Sequence, residues 1–195
     1  EEGPASTTKM TTLLVALEES HLAGIVHVQA DAVLAGGASV HLADGDEIRL
    51  RDLLQAMMLA SGNDAAVAVA DHVAGSVPAF VEKMNALAGK MEAYHTHFVN
   101  ANGLTTPGHY STARDLAKIA RYGMKNPVFR QMVGVKSMEI QWQKPAGKKF
   151  VFENTNELLG VYPGISGVKT GYTEAAGECL VASARRNQTE LIVVV

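Results

Sequence analysis

Apolar residues recur at helical spacing through the first two thirds of the chain and alternate with polar ones in the last third. Met10, Leu13, Leu14 and Leu17 fall three and four apart, which predicts a helix over residues 6–18. Pro4 suits the approach to a helix start, and Ser6 and Thr7 offer oxygens to its free N–H groups. Residues 25–33 read as an irregular stretch with short strands, broken by Gly36-Gly37 and turned at Asp44-Gly45. Leu53, Leu54, Met57 and Met58 line one face of a helix over residues 51–60, and Ser61-Gly62-Asn63 then interrupts the apolar run. Residues 65–74 are apolar almost all round, the mark of a buried helix, and Gly75 ends it. Ser76 can cap the next helix, whose inner face is Phe80, Met84 and Leu87. Residues 96–110 read as a structured loop. Ser111 or Thr112 caps a further helix with Leu116, Ile119 and Ala120 inside and Gly123 as its stop. Pro127 opens a short helix carrying Phe129, Met132 and Val133.

The period then drops to two. Met138, Ile140 and Trp142 alternate with polar residues, Pro145-Ala146-Gly147 turns the chain, and Phe150 and Phe152 alternate on the return, which predicts a hairpin. After the turn Tyr162-Pro163-Gly164 come three strands, over residues 165–172, 179–184 and 191–195, the last two joined at Asn187-Gln188. Helices followed by antiparallel strands predict an α+β fold.

At 195 residues the chain is long enough for one domain with a core of its own. Hydrophobic residues make up 47% and charged residues 19%, which excludes a disordered chain or a coiled coil. A net charge of −3 provides no basic field for nucleic acid or an anionic membrane surface. No apolar run approaches the ~18 residues of a membrane span, and no signal peptide or membrane anchor is visible. Cys179 is alone, so no intrachain disulfide forms; that fits a cytosolic chain without excluding an exported one.

Three polar clusters interrupt apolar elements. In Ser6-Thr7-Thr8-Lys9 the hydroxyl and the amine are three apart and share a helical face. A serine becomes a nucleophile when a base takes its proton, and a lysine serves as that base if burial or a nearby cation lowers its pKa. Taken alone, the same residues also fit a capping serine and a solvated lysine. Ser61-Gly62-Asn63 sets a hydroxyl and an amide at a helix break, suited to relaying a proton and binding a substrate amide, or to plain punctuation. Lys169-Thr170-Gly171 lies in a strand, where a cation, a hydroxyl and a residue without a side chain suit an extended peptide with a free carboxylate. In this order the three match the Ser-x-x-Lys, Ser-Asp-Asn and Lys-Thr-Gly signature of class A β-lactamases and penicillin-binding proteins, with Gly62 in place of Asp.

The resemblance extends further. Pro4-Ala-Ser-Thr-Thr-Lys9, Ser61-Gly-Asn-Asp-Ala-Ala-Val67, Gly108-His-Tyr-Ser-Thr-Ala-Arg-Asp-Leu116 and Gly167-Val-Lys-Thr-Gly-Tyr-Thr-Glu-Ala-Ala-Gly177 resemble the serine-type D-alanyl-D-alanine carboxypeptidases, over essentially the whole chain. The resemblance implies a β-lactamase/transpeptidase-like fold in one catalytic domain. A mostly helical lobe would span about residues 21–160, and the nucleophile helix with strands 165–195 would form the sheet lobe. It implies that Ser6 attacks the D-Ala-D-Ala carbonyl of a peptidoglycan stem peptide, with Lys9 as general base. Ser61, helped by Lys169, would pass the proton to the leaving amine. Asn63 would hold the substrate amide, and Thr170 and Lys169 its terminal carboxylate. Gly171 and Tyr172 would line the substrate strand, with the N–H groups of Ser6 and Tyr172 as the oxyanion hole. β-Lactam antibiotics would acylate Ser6. No cofactor or metal is implied, and the setting would be the extracytoplasmic side of the bacterial envelope. Members of that family carry strands before the nucleophile helix and a helix after the last strand, so the sheet of this chain is expected to be incomplete, with an open edge and exposed apolar surface.

Two rival functions share these residues. A serine β-lactamase of class A needs a Glu-x-x-Leu-Asn loop, and neither Glu139, Glu153 nor Glu157 has that context. A non-catalytic penicillin-binding sensor or scaffold would not need the full set of Ser6, Lys9, Ser61, Asn63, Lys169 and Thr170. Outside the clusters, His95 and His97 are expected to be structural or on the surface, His109 to pack a loop, and Cys179 to be buried and inert. Lys144, Lys148 and Lys149 are expected to form a solvated rim.

Overall fold

The computed structural model describes all residues from Glu1 to Val195. The first helix, α1 (Lys9–Glu19), is buried along its entire first half, from Lys9 to Ala16. A surface helix hides one stripe, whereas this one is enclosed on all sides and forms the axis of the domain. It is preceded by a tight 3-10 turn, Ala5–Thr8, so the predicted single helix is two elements. Neither Ser6 nor Thr7 caps it; the Thr7 hydroxyl donates back to the Pro4 carbonyl instead.

Around α1 stand α3 (Leu50–Ala60), α4 (Asn63–Ala74), α5 (Val77–Lys90), α6 (Ala113–Gly123) and α7 (Pro127–Val133). Leu53, Leu54, Met57 and Met58 of α3 are all buried, as their spacing predicts. Ser76, Thr112 and Asn126 cap α5, α6 and α7 with their side-chain oxygens. Gly75 stops α4 in the left-handed conformation at φ 77°. Gly123 acts otherwise: it is the last residue of α6, and a Cβ there would meet the Phe129 ring at 2.7 Å. It is a packing glycine rather than a left-handed stop. A short helix α2 (Ala30–Val33) sits between the paired strands β1 (Ile25–His27) and β2 (Glu47–Arg49), in the stretch that reads as irregular from sequence.

The hairpin predicted from the alternating aromatics is β3 (Ser137–Gln141) and β4 (Lys149–Glu153). Lys144 and Lys149 are exposed, as expected of a solvated rim, whereas Lys148 is not. Lys148 is mostly buried, pairs with Asp46 at 2.5 Å, donates to the His41 carbonyl and lies over the Trp142 ring. Asp46 also accepts from the Trp142 indole N–H, so hairpin and the 41–46 segment are locked together.

The last three strands, β5 (Ile165–Thr173), β6 (Gly177–Arg186) and β7 (Thr189–Val194), form one antiparallel sheet in that order. Inner residues Val168 and Val181 join the core, and Arg130 of α7 pairs with Glu190 of β7 at 2.7 Å. The other face is bare: Leu191 and Val193 are more than half exposed. With Leu158, Tyr162, Leu180 and Ala184 they line an open groove of about 470 Å³. No single helix is long and apolar enough to cross a membrane.

Candidate active site

Three separate elements converge at the first turn of α1. Lys9 is completely buried, and its Nζ reaches three oxygens: Ser6 Oγ at 2.9 Å, Asn63 Oδ1 at 2.7 Å and the Asn102 carbonyl at 2.6 Å. Ser6 itself is only half buried, so the hydroxyl stands where a ligand can reach it. The geometry has a chemical consequence. An amide carbonyl and a backbone carbonyl can only accept, so they take two N–H bonds from Lys9 whether the amine is charged or neutral. The third partner, a hydroxyl, can either accept or donate. A neutral Lys9 therefore presents its lone pair to the Ser6 O–H, and moving that proton requires no displacement of heavy atoms.

The electrostatics favour the neutral form. Burial holds Lys9 well below the usual lysine range, the neighbouring Lys169 cation lowers it further, and Asp64 opposes both. Lys169 is also fully enclosed in β5, donates to the Thr170 carbonyl at 3.0 Å, and is brought down to about 7 by burial alone. Both lysines are thus made less basic than a solvated lysine, as perturbed groups in active sites are.

Backbone shape sets these groups in place. Ala5 turns with φ 46°, and its carbonyl presses on Gly103, where a Cβ would come within 1.9 Å. Gly171 of β5 faces the same turn, where a Cβ would meet the Ser6 nitrogen at 2.8 Å. Ser61 adopts the left-handed conformation at φ 61° between α3 and α4, and is nearly buried. That bend lets Ser61 and Asn63 leave two helices at one point. The Thr170 hydroxyl is bound to that of Thr155, and the Thr155 N–H bonds to Leu59 near the end of α3, so β5 is tied to the segment carrying Ser61. Tyr172 is two-thirds exposed beside the same strand.

The D-alanyl-D-alanine carboxypeptidase family profile matches residues 1–195. The chain belongs to that family. It is 39% identical to D-alanyl-D-alanine carboxypeptidase DacF of Bacillus subtilis, over 98% of this chain and 50% of that protein. It is 38% identical to the D-alanyl-D-alanine carboxypeptidase of Streptomyces sp. strain K15, over 96% of this chain and 69% of that protein. Among solved structures, the Streptomyces K15 DD-transpeptidase superposes with a TM-score of 0.93 at 37% identity, covering 100% of this chain and 80% of that one. The Mycobacterium tuberculosis D-alanyl-D-alanine carboxypeptidase gives 0.92, also at 37% identity, covering 73% of its chain. The α+β fold is therefore that of the penicillin-binding DD-peptidases. Against several of its relatives the chain spans only about half the length.

In this member of the carboxypeptidase family, Ser6, Lys9 and Asn63 are joined by hydrogen bonds, the Lys169 charge acts on Lys9, and Gly171 packs against the Ser6 turn; the Ser61 hydroxyl makes no hydrogen bond to any of them. Asn63 is more engaged than sequence suggests. Its Oδ1 accepts from Lys9 and its Nδ2 donates to the Gly36 carbonyl at 2.9 Å, leaving one N–H and one lone pair for a ligand. Three contributors lie outside the site residues expected from sequence. The Asn102 carbonyl is a backbone atom that any residue could supply. Asp64 is hidden behind Asn63, its neighbour in the chain. His109, buried as expected of a loop-packing residue, accepts the Val99 N–H at Nδ1 and so offers its Nε2–H to Thr8 Oγ1 at 2.9 Å. Burial, with His97 nearby, lowers its pKa to about 4 and keeps it neutral. Cys179 is half buried rather than buried, and burial raises its thiol pKa, the reverse of a nucleophile.

Proposed function

We propose that the chain is the catalytic part of a serine D-Ala-D-Ala carboxypeptidase that trims peptidoglycan stem peptides on the outer side of the bacterial membrane. The supporting observation is the buried Lys9 amine, 2.9 Å from the reachable Ser6 hydroxyl and satisfied by two acceptor-only oxygens. Ser6 Oγ attacks the carbonyl of the terminal D-Ala-D-Ala bond as its proton passes to Lys9. The tetrahedral intermediate collapses, Ser61 relays a proton to the leaving nitrogen, and D-Ala departs, leaving an ester on Ser6. Lys169 keeps its charge below about pH 7 and, with Thr170, receives the substrate's terminal carboxylate. Gly171 lets the peptide approach along β5. Water then attacks the ester with Lys9 again as base, and free Ser6 is regenerated. A β-lactam follows the first half of this path, but its leaving nitrogen stays tethered in the adduct and obstructs the water.

Fluorescent penicillin should label wild type on Ser6, as mapped by peptide mass, and should not label S6A. A peptide ending in D-Ala-D-Ala should release free D-Ala, while the penicillin adduct persists in the intact-protein mass. Fast lactam turnover without D-Ala release would make the protein a β-lactamase. Absence of both reactions would make it a non-catalytic binding module.

A further inference from the structure

Behind Asn63 lies a buried carboxylate that the acylation steps do not use. Asp64 is 4% exposed, and its oxygens accept from the Ser39 hydroxyl at 2.6 Å, the Val40 N–H at 3.0 and 3.1 Å, the Leu42 N–H at 3.2 Å and its neighbour Ala65's N–H at 2.8 Å. Three of the four donors lie in one strap, residues 36–42. The strap is largely exposed and carries no helix or strand of its own, so Asp64 is its main attachment. Its near end bears directly on the site. The Gly36 carbonyl accepts from Asn63 Nδ2, the Ala38 carbonyl accepts from the Asn63 N–H at 2.6 Å, and a Cβ on Gly37 would strike Asn63 Nδ2 at 2.8 Å. Asn63 is therefore held between the strap and Lys9. With its amide pinned by the Gly36 carbonyl, its Oδ1 must point at the lysine.

We propose that Asp64 is a positioning residue for acylation: it grips the strap that orients the Asn63 amide against Lys9, and its charge faces the buried Lys9 amine. The inference rests on the acylation reading above. Two consequences separate it from a merely structural carboxylate. Losing the grip lets the Asn63 amide swing, and Lys9 loses one of its two fixed acceptors. Losing the charge removes the single anion that opposes Lys169 at Lys9, so Lys9 releases its proton more readily. The charged groups facing Lys9 are Lys169 from β5 and Asp64 from α4.

The test is the rate of penicillin acylation from pH 4 to pH 9, with wild type as the control. A wild type that fails to acylate Ser6 refutes the functional reading itself; the comparison below concerns Asp64 alone. D64N should acylate about 10- to 100-fold more slowly at its optimum, and the acid limb of its pH profile should move to lower pH. S39A removes the hydroxyl that donates to Asp64 and accepts the His41 N–H, and leaves the charge. It should lose about threefold in rate with the acid limb unmoved. Should D64N not fold, D64E and S39A carry the test. D64E keeps the charge and so should keep the acid limb, and S39A should still be slowed. D64N and S39A rates equal to wild type, with an unshifted limb and only a lower Tm, would reduce Asp64 to a structural group.

Discussion

Lys9 and Lys169 are fully buried, where lysine is ordinarily solvated, and the proposed chemistry depends on that difference. Burial lowers both amines, Lys169 to about 7, and the Lys169 cation lowers Lys9 further; the proposed chemistry uses Lys9 as the base and Lys169 as the cation. The kcat/KM for a substrate with a free carboxylate should therefore fall as pH rises through about 7. Deprotonation of Lys169 removes the charge that receives the carboxylate, and this ratio reports the free enzyme. The two lysines interact, so the midpoint belongs to the pair. A peptide amidated at its C-terminus should lack that descending limb, and a limb common to both would assign the titration elsewhere. K9R tests the other member. Arginine holds its proton at any usable pH, so the variant should lose acylation even when circular dichroism shows an intact fold. Ser6 and Lys9 are legible in the sequence because a hydroxyl and an amine three apart on a helical turn meet whatever the tertiary structure. The Asn102 carbonyl is illegible because its contribution is a position and not a side chain.

At the level of elements, the nucleophile turn is clamped between two glycines. Gly171 presses from β5 against the Ser6 and Thr7 nitrogens, and Gly103 presses from the loop against the Ala5 carbonyl. The two should respond differently to alanine. G171A adds a methyl group 2.8 Å from the Ser6 backbone nitrogen, so the nucleophile turn must shift, but by less than G103A demands and at an ordinary φ; acylation should drop about 100-fold with a smaller loss of Tm than in G103A. G103A sets a Cβ 1.9 Å from the Ala5 oxygen at φ +91°, where relief requires backbone movement and the fold itself should weaken. Parallel measurements of acylation rate and thermal midpoint check the pair, and equal losses of both in G171A would refute the distinction. Helix faces such as Phe80, Met84 and Leu87 are legible from spacing because burial there follows local periodicity. Gly123 and Lys148 are not. A packing glycine and a left-handed stop look alike in sequence, and the partner of Lys148, Asp46, lies 102 residues away.

Across the whole molecule the contrast is between an enclosed α1 and a bare outer sheet face. Leu191 and Val193 are 64% and 55% exposed, and β7 leaves one edge unpaired. Apolar surface beside a free strand edge favours pairing between chains. The 195-residue chain should therefore show concentration-dependent sedimentation, and L191E/V193E should shift it toward monomer. A monomer at high concentration without these changes would show that the face tolerates water. The three strands of the sheet are legible from the alternating pattern; the groove beside them is not, because its walls come from the 158–165 turn as well as from β6 and β7. The enclosure of Lys9 carries a different consequence. In an unfolded chain that amine regains its ordinary basicity, and Ser6 is as unreactive as any serine. Segments near residues 6, 63, 102 and 169 must all dock before the hydroxyl can be captured. Penicillin added during dilution from urea would thus mark only molecules whose distant segments have already met, and the fraction marked against time would serve as a covalent clock of the last stage of folding.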